Sequence, residues 1–501
     1  MRVRRLLSRA LPLLVAASML VACGTQVVNP VTGQAERSVM SEQDEIAEGA
    51  KGHQQVLQEY GAYANPGLQA YVNDLGQRLA RQSHRANLKW TFTVLDSPEI
   101  NAFALPGGHV YVTRGIMAYL DSEAELAGVI GHEIGHVTAR HGAQRATRQQ
   151  TAGLGVIAAT VLGAVLEGAG VGGATDLASQ VSQTAAAGYI ASYSRDQESQ
   201  ADQLGAEYLV RNRYDPKNMV DVIAVLKNQE RFAADVAKAE GRPAPTGGGW
   251  LASHPSNDKR LADIQQVAAG YAGSYGDDGR ARYLKAIEGL AFGESREQGI
   301  TRGRNFYHEG LGIAVSAPPG GRVRNTAEAI VLVNAAADAG VVVKLLPTGA
   351  GANHDEILRK LVTPVDGGTD KRSLNGLQAT HFAGHVRDAQ GRSQAAALTL
   401  VNGPAGRQYL LQYAGKDAAA LQRALPQLQE AEASFRPLSA ADRTAARPWQ
   451  VKTVAMPRGG FAELARGSPL PTQAEGQLRL LNGVYGGGTE PPPGQLVKTV
   501  R

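Results

Sequence analysis

The feature that most restricts this chain is a pair of histidines four residues apart, within Gly131-His132-Glu133-Ile134-Gly135-His136. In a helix, residues at i and i+4 lie on one face, so both imidazoles can bind one Zn²⁺ ion. Glu133 is offset from that face and can hold the metal-bound water and accept its proton. Ser122 and Glu125 predict a capping box where this helix begins. The segment predicts a zinc-binding helix; the alternative is a polar helical face without metal.

A catalytic zinc site needs a third protein ligand, and we expect it from another helix. Glu198 and Asp202 are again four residues apart, in a segment with a helical pattern. Glu198 would bind the metal, and Asp202 would accept a hydrogen bond from a ligand histidine and so orient it. Alone, the pair could be a solvated acidic face; together with the upstream histidines it favours a metal site with one zinc per chain.

The only cysteine lies near the N-terminus, which excludes a disulfide framework and sites built from several cysteines. It follows four arginines and an apolar run that is typical of an export signal. The ending Leu20-Val21-Ala22-Cys23 resembles a bacterial lipobox. We expect residues 1–22 to be removed, Cys23 to carry a lipid, and residues 23–40 to form a polar tether. The alternative is an ordinary signal with a chance cysteine.

Loss of the signal also changes the charge balance. Residues 1–22 hold four arginines and no acid, so their removal lowers the formal net charge from +5 to about +1. The basic character of the chain therefore gives no support for nucleic-acid binding, and no nucleic-acid partner is expected. The sequence favours a lipid-anchored protein of the bacterial cell envelope that faces the periplasm, with the outer membrane as the favoured location.

Four motifs occur in a fixed order along roughly residues 40–290. They are Asn101-Ala-Phe-Ala-Leu-Pro-Gly-Gly108, the segment Gly131–His136, the pair Glu198 and Asp202, and Ser253-His254-Pro255 with Arg260. Together they resemble the HtpX/BepA-type zinc metallopeptidases, a family that includes the CAAX prenyl endopeptidase. The resemblance implies that His132, His136 and Glu198 bind zinc, that Glu133 is the general base and acid, and that Asp202 supports a ligand.

The resemblance also implies roles for the flanking motifs. The segment Asn101, Ala102, Phe103 and Ala104, or the strand Val110–Thr113, would be an edge that pairs with an extended substrate backbone; a structural strand is the alternative. His254 would be a fourth metal ligand in a resting state, or would stabilise an oxyanion together with Arg260, unless its His-Pro pair is only a turn. The remaining histidines of this region are interpreted as surface or structural residues: His53, His84, His109 and His141.

Length and hydrophobic patterning predict an α+β chain of several domains, since 501 residues with 43% hydrophobic content can bury more than one core. Residues 41–300 would form a mainly helical gluzincin-type metallopeptidase domain with a small edge sheet. Within it, the apolar Gly/Ala-rich segment 151–173 would cover the site or face the membrane, and a membrane span is the alternative. Residues 305–438 would form an antiparallel α+β domain that resembles the PsbP-like fold in element order.

The last part, residues 448–501, has a β-α-α-β pattern that resembles a LysM module, a domain that often binds N-acetylglucosamine polymers such as peptidoglycan. Leu478-Arg-Leu-Leu-Asn482-Gly483 and Pro493-Gly494-Gln-Leu-Val-Lys carry this resemblance. Arg458-Gly459-Gly460 stands where such modules usually have Gly-Asp-Thr. The alternative is a module that serves only packing or protein contact.

Together these features predict a zinc endopeptidase of the bacterial envelope that cleaves misfolded or unassembled envelope proteins. The expected partners are those protein substrates, the membrane through Cys23, and peptidoglycan. Two alternatives belong to other classes of protein. One is an assembly factor or scaffold whose zinc site is held closed by His254 and residues 151–190; the other is a peptidoglycan-binding structural lipoprotein.

Overall fold

A computed structural model describes residues 25–147, 193–241, 254, 258–326, 329–387 and 391–501. The chain forms two compact units, one comprising Met1–Leu290 together with Gln450–Arg501 and the other Ala291–Trp449. The predicted signal segment, the predicted lipid site at Cys23 and the predicted covering segment 151–173 lie outside the described residues. None of the helices in the described ranges has both the length and the apolar character needed to cross a bilayer.

The first described residues form a hairpin where the sequence predicts a tether. Strands β1 (Thr25–Val28) and β2 (Ala35–Ser38) pair antiparallel, with Thr25 opposite Ser38. Asn29 is buried at the turn, where its Oδ1 accepts hydrogen bonds from the backbone N–H groups of Val31 and Thr32. The turn-forming residues that suggest a polar tether therefore close a tight turn instead.

The helices that follow the hairpin in the first unit come from the periodic segments of the sequence. They are α1 (Glu42–Tyr60), α2 (Pro66–Arg81), α3 (Arg114–Tyr119), α4 (Glu123–Thr138), α5 (Arg195–Arg211), α6 (Lys217–Ala239), α7 (Asp258–Ala269) and α8 (Arg280–Ala286). The predicted N-cap of α4 forms, since Ser122 Oγ accepts from the Glu125 N–H. The Glu125 carboxylate, however, accepts from the Asp121 N–H rather than from Ser122, so only half of that capping box is present.

Helix α4 is buried along its whole length and packs closely against α5. Small residues make this approach possible. A Cβ added at Gly135 would lie 2.9 Å from the carbonyl oxygen of Ala201, and one added at Gly205 would lie 3.1 Å from the backbone nitrogen of His132. A larger residue at either position would push the helices apart. The glycines therefore bring the histidines of α4 within reach of the acids of α5.

A small sheet lies in the same unit and consists of strands β3 (Thr91–Leu95), β4 (Ala102–Leu105) and β5 (His109–Thr113), in the order β3-β5-β4. The central strand β5 is parallel to β3 and antiparallel to β4. Both edges of β5 are therefore occupied, and the segment Val110–Thr113 has no edge to offer a substrate. Strand β4 is at the rim of the sheet and has one edge without a partner among the described strands.

The second unit is an antiparallel α+β structure, in agreement with the alternation in its sequence. Its elements are β6 (Ala291–Phe292), β7 (Ile300–Arg302), β8 (Asn305–His308), β9 (Ile313–Ser316), β10 (Arg322–Asn325), β11 (Ile330–Val333), β12 (Ala339–Leu345), α9 (His354–Leu361), β13 (Pro364–Leu374), β14 (Leu377–Arg387), β15 (Ser393–Asn402), β16 (Gln408–Gly415), α10 (Ala418–Ala433), β17 (Arg436–Pro437) and α11 (Ala440–Ala445). Its sheets have the orders β10-β11-β12-β16-β15-β14-β13 and β17-β9-β8-β7. Leu411 of β16 belongs to a core with Leu428 of α10, whereas the adjacent Leu410 packs with Ile357 of α9, so the two helices cover opposite faces.

The C-terminal segment belongs to the first unit and has the predicted element order. It comprises β18 (Trp449–Ala455), α12 (Gly460–Arg466), α13 (Ala474–Leu481) and β19 (Leu496–Val500), with β18 and β19 antiparallel. Lys498 of β19 is fully buried, and its Nζ donates to the carbonyl oxygens of Ala118 and Leu120 at 3.0 and 2.6 Å. Those carbonyls end α3, directly before the metal-site helix α4, so the segment supports that helix.

Candidate metal centre

Four buried side chains of the first unit direct their ligand atoms toward one point. His132 and His136 come from α4, Glu198 comes from the first turn of α5, and His254 lies just before α7. One ligand atom of each lies within 4.8 Å of the others. All four residues are almost completely shielded from solvent, with at most 1% exposure. The structure thus brings together the three predicted ligands and the predicted fourth one.

The distances between these atoms fit a tetrahedral metal ion. Ligand atoms about 2.0–2.1 Å from a tetrahedral zinc ion lie about 3.3–3.4 Å from one another. His132 Nε2 lies 3.0 Å from His136 Nε2 and 3.6 Å from Glu198 Oε2, and His136 Nε2 lies 3.5 Å from Glu198 Oε1. The donor set of imidazole nitrogen and carboxylate oxygen is also one that zinc accepts. The residues present therefore fit a metal ion of this kind.

The orientation of His132 comes from an acid on α5. Its Nδ1 lies 2.9 Å from Asp202 Oδ1, so Nδ1–H donates to the carboxylate and Nε2 keeps its lone pair for the metal. Burial lowers the pKa of His132, but Asp202 and Glu198 outweigh burial and raise the pKa above its usual value. Burial raises the pKa of Asp202, yet Arg260 and His132 hold the pKa below its usual value. Asp202 therefore stays ionised and can accept the hydrogen bond of His132.

Arg260 holds both acids of α5. Its Nε and Nη2 donate to Asp202 at 2.7 and 2.8 Å, and its Nη1 lies 2.8 Å from Glu198 Oε2. All three guanidinium nitrogens are thus engaged by carboxylates. These contacts show that Arg260 holds the two acids in place, while the oxyanion-stabilising role stays a prediction, since Nη1 and Nη2 each carry a second N–H. Burial raises the pKa of Glu198, but His254 and His136 outweigh burial and keep that pKa well below the usual range.

His254 lies between the metal ligands and the predicted general base. Its Nδ1 is 2.9 Å from Glu198 Oε1 and 3.3 Å from His132 Nε2, while its Nε2 is 3.6 Å from Glu133 Oε1. Of the predicted roles, this position fits a fourth ligand in a resting state. Glu133 is fully buried on α4, on the side of the cluster that His254 faces. It is thus within reach of a water molecule that would replace His254 at the metal.

One end of the predicted substrate edge and one histidine of the ligand cluster line the same pocket. Ala104 and Leu105 of β4 line a small pocket together with His136 and Tyr193. Asn101 precedes β4, and its backbone N–H donates to Thr113 Oγ1 of the neighbouring strand. The residues Ala102–Ala104 therefore lie in a strand whose end approaches His136, and the use of its outer edge by a substrate stays a prediction.

Two neighbours of His136 are absent from the sequence-based prediction. The Tyr193 ring stacks on the His136 ring, with centroids 3.8 Å apart and planes 18° apart, and the Arg145 guanidinium lies 4.4 Å from the Tyr193 centroid. His141, interpreted as a surface or structural residue, is fully buried, and its Nδ1 lies 2.8 Å from His136 Nδ1. His141 is therefore not a surface residue. Its contact with the clustered histidine His136 does not follow from the sequence-based interpretation. The available signal was a third histidine five residues after His136.

The other three histidines bond away from the ligand cluster, as the sequence suggests. The ring nitrogen Nδ1 of each contacts a hydroxyl group: Tyr111 for His53, Tyr208 for His84 and Thr91 for His109. Burial lowers the pKa of His109. His53 and His109 are partly buried and His84 is exposed, so these contacts agree with the interpretation of the three as surface or structural residues.

Comparison with known proteins agrees with this geometry. Residues 66–268 match the model of peptidase family M48. The chain is 29% identical over 243 residues to the beta-barrel assembly-enhancing protease of Yersinia pestis, covering 48% of this chain and 47% of that protein. It is 32% identical over 208 residues to the protein of that name from Escherichia coli strain K12, covering 41% and 39%. These matches support an M48 metallopeptidase domain in the first unit.

Similarity extends to mitochondrial proteins. The mitochondrial metalloendopeptidase OMA1 of Schizosaccharomyces pombe is 29% identical over 218 residues, covering 43% of this chain and 58% of that protein. The chain spans less than half the length of the two bacterial relatives. The crystal structure of LpqN, involved in cell envelope biogenesis of Mycobacterium tuberculosis, matches 24% of this chain and 80% of its own at 19% identity and a TM-score of 0.17, a likeness too weak to carry an argument.

Proposed function

We propose that this protein is a zinc endopeptidase of the bacterial envelope that hydrolyses peptide bonds of misfolded or unassembled envelope proteins. The observation that carries the proposal is the convergence of His132, His136 and Glu198, at distances that suit a tetrahedral metal, inside a segment that matches a peptidase family. The bacterial relatives are named for beta-barrel assembly, which favours an envelope substrate. The lipobox-like Cys23 supports a lipid anchor, with the periplasmic face of the outer membrane as the proposed location.

The proposed mechanism assigns each step to a residue of the site. A bound zinc ion would supply Lewis acidity toward the scissile carbonyl and the attacking water. Glu133 accepts the proton of that water at its carboxylate and then donates it to the leaving amine. Asp202 and Arg260 keep His132 and Glu198 in place while the charge at the centre changes. The outer edge of β4 pairs with the extended substrate backbone and brings the scissile bond to the metal.

His254 would regulate access to the centre. A catalytic zinc keeps one position open for water or substrate, whereas a closed set of four protein ligands is typical of structural sites. With its Nδ1 3.3 Å from His132 Nε2, His254 occupies the place of that open position. We therefore propose that the described conformation is a resting state and that His254 leaves when substrate binds.

Proteolysis of an unfolded protein such as casein tests this proposal. We expect activity in the wild type, higher activity in His254→Ala, and loss of activity in Glu133→Gln with zinc still bound. Zinc content is measured in each sample to separate loss of chemistry from loss of metal. If wild type and His254→Ala both contain zinc and are both inert, the endopeptidase proposal fails, and the alternative of an assembly factor with a latent site takes its place.

A peptidoglycan-binding role is a second proposal, supported by the β-α-α-β order of the C-terminal segment. Because Lys498 ties that segment to α3, the test uses the full chain rather than the segment alone. Co-sedimentation with purified peptidoglycan is expected to retain the protein, with soluble N-acetylglucosamine oligomers as competitor. Equal sedimentation with and without peptidoglycan would refute this role and leave the peptidase proposal intact.

A further inference from the structure

A chain of side-chain hydrogen bonds links the metal ligand His136 to the N-terminal hairpin. His136 Nδ1 lies 2.8 Å from His141 Nδ1, His141 Nε2 lies 3.1 Å from Gln200 Oε1, and Gln200 Oε1 lies 2.9 Å from Asn29 Nδ2. The four residues come from α4, the segment after it, α5 and the β1–β2 turn. His136, His141 and Asn29 are almost completely buried, so water does not compete strongly for these bonds.

The direction of every bond in this chain follows from Asn29. Its Oδ1 accepts from the backbone N–H groups of Val31 and Thr32 at 2.9 and 3.2 Å, so the amide group cannot be turned around without losing both. Its NH₂ group therefore donates, to Gln200 and to the carboxylate of Glu36, which lies 2.9 Å away. Gln200 must then present its carbonyl oxygen, because its own NH₂ group would face another donor.

The same direction continues to the metal ligand. Because the carbonyl oxygen of Gln200 accepts, His141 carries its proton on Nε2, and the Nδ1 of a neutral ring is an acceptor. His136 must then carry a proton on Nδ1 to donate to His141. In the neutral imidazole this leaves the lone pair on His136 Nε2, the atom that lies 3.0 Å from His132 Nε2 inside the ligand cluster. The amide of Asn29 in the hairpin turn thus determines, through Gln200 and His141, the tautomer of His136 that can bind a metal.

We propose that His141, Gln200 and Asn29 are positioning residues for the metal site. The N-terminal hairpin, through Asn29, then contributes to the orientation of the ligand His136. The inference rests on the metal centre of the proposed function and deepens it. It also separates the two histidines of α4. The carboxylate of Asp202 can only accept, so the tautomer of His132 needs no further support. The amide and imidazole groups beyond His136 can each be reversed, so their direction depends on Asn29.

Asn29→Asp is the sharpest variant, because it keeps the size and the two backbone contacts of Asn29. The new carboxylate has no NH₂ donor, so Gln200 would turn its own NH₂ group toward that carboxylate and toward His141. His141 would then accept at Nε2 and carry its proton on Nδ1. That proton would face the proton on His136 Nδ1, so the hydrogen bond between the two rings would be lost. We expect zinc to bind about 10- to 100-fold more weakly, the usual effect of losing a residue that orients a ligand. His141→Leu should have a similar effect.

Two further variants serve as a rescue and a control. His141→Gln keeps an acceptor and a donor at this position and should bind zinc more tightly than His141→Leu. His53→Ala removes a histidine of the same unit whose described hydrogen bond is to Tyr111, and it should bind zinc as the wild type does. Zinc affinity is measured on the full chain by competition with a chelator. The absorption bands of the Co²⁺-substituted protein report ligand geometry independently of activity.

The outcomes separate this inference from the proposed function. Weaker zinc binding and altered Co²⁺ bands in Asn29→Asp and His141→Leu, with rescue by His141→Gln, support it. If His141→Leu does not fold, the comparison between Asn29→Asp and wild type decides. Wild-type affinity in Asn29→Asp overturns the inference while the metal site itself stands. A wild-type chain that binds no zinc overturns both the inference and the proposed function.

Discussion

The metal centre and a cluster around Glu432 in the second unit each contain a buried glutamate, but the groups that surround the two carboxylates differ. At Glu432 every acceptor meets a donor: Thr399 Oγ1 donates to Oε1 at 2.9 Å, Arg372 also donates to Oε1, and the Tyr413 hydroxyl donates to Oε2. Both carboxylate oxygens of Glu432 therefore have donors among the neighbouring side chains. Buried polar side chains satisfied in this way stabilise a fold and carry no chemistry.

In the metal centre, by contrast, acceptors face one another. His132 Nδ1 donates to the carboxylate of Asp202, and in the tautomer inferred above His136 Nδ1 donates to His141, so both Nε2 atoms present lone pairs, 3.0 Å apart. The carboxylate of Glu198 points to the same place. A metal cation between these atoms would remove the repulsion, and Arg260 already offsets part of the charge of Glu198, since its Nη1 lies 2.8 Å from Oε2. The direction of the lone pairs, rather than burial or residue type, thus distinguishes a binding site from a structural cluster.

The largest effect should come from Glu133→Gln, which keeps the shape of the side chain and removes the proton acceptor. We expect kcat for peptide hydrolysis to fall by about 10²- to 10⁴-fold, since this is the usual contribution of a general base. Zinc content should not change, because Glu133 is not among the clustered ligands. Glu432→Gln is the matched control and should retain wild-type kcat. Full activity in Glu133→Gln would exclude Glu133 as the general base.

Asp202→Asn should weaken zinc binding by about 10- to 100-fold, because it removes the charge that pairs with Arg260 and supports His132. Chelator competition measures this affinity. The activity of the zinc-loaded variant separates affinity from chemistry. Unchanged affinity would mean that the carbonyl oxygen of an asparagine orients His132 as well as a carboxylate does, and that the charge of Asp202 has no role in binding.

Glu432→Gln tests the other side of the comparison. It leaves Arg372 and the Tyr413 hydroxyl without their charged acceptor, so we expect the second unit to lose about 1–3 kcal/mol of unfolding free energy. Denaturant unfolding followed with and without added zinc measures this loss. The loss should be the same in both conditions, since the cluster binds no metal. A variant whose stability is restored by zinc would contradict the structural interpretation.

The contrast also explains which parts of the site the sequence predicts. His132, His136 and the pair Glu198 and Asp202 follow from helical spacing, because residues four apart share a face whatever surrounds the helix. The role of His254 follows only from the resemblance to a family. The contact between His136 and His141 requires the chain to turn after Thr138, where α4 ends, and spacing alone does not specify that turn. The stacking of Tyr193 on His136 depends on the packing of α5 against α4. Contacts between elements were therefore the missing information.

The fold likewise contains elements that the sequence pattern predicts and elements that it does not. The helices with clear periodicity and the C-terminal β-α-α-β order agree with the sequence pattern. Strand β13 (Pro364–Leu374) was not predicted, because most of its residues are exposed and it shows no alternation; pairing with β14 alone determines it. Helix α11 (Ala440–Ala445) lies between the predicted domains 305–438 and 448–501, where Ser439 and Asp442 form a capping box at the start of a short helix. Pairing partners and local caps override weak patterns in such segments.

The smallest effect concerns pH and compares Asp202 with Asp442 of the second unit, since an arginine holds each of them. Arg436 and Ser439 bond to Asp442 and lower its pKa below the usual value, with burial opposing this in part. A lowered pKa means that the folded state binds fewer protons than the unfolded state. The stabilisation is therefore present above about pH 4 and is lost as the pH falls through the folded-state pKa.

Asp442→Asn should accordingly destabilise the second unit at pH 7, by about 0.5–1 kcal/mol because Arg436 is partly exposed. The difference from wild type should shrink as the pH falls below about 4, where the carboxyl of the unfolded wild-type chain gains its proton, and should vanish once the pH passes the lower folded-state pKa. Thermal unfolding of both proteins across this range measures the difference. A constant difference at all pH values would show that the side-chain hydrogen bonds of Asp442, rather than its charge, stabilise the segment, in contrast to the role predicted for the charge of Asp202.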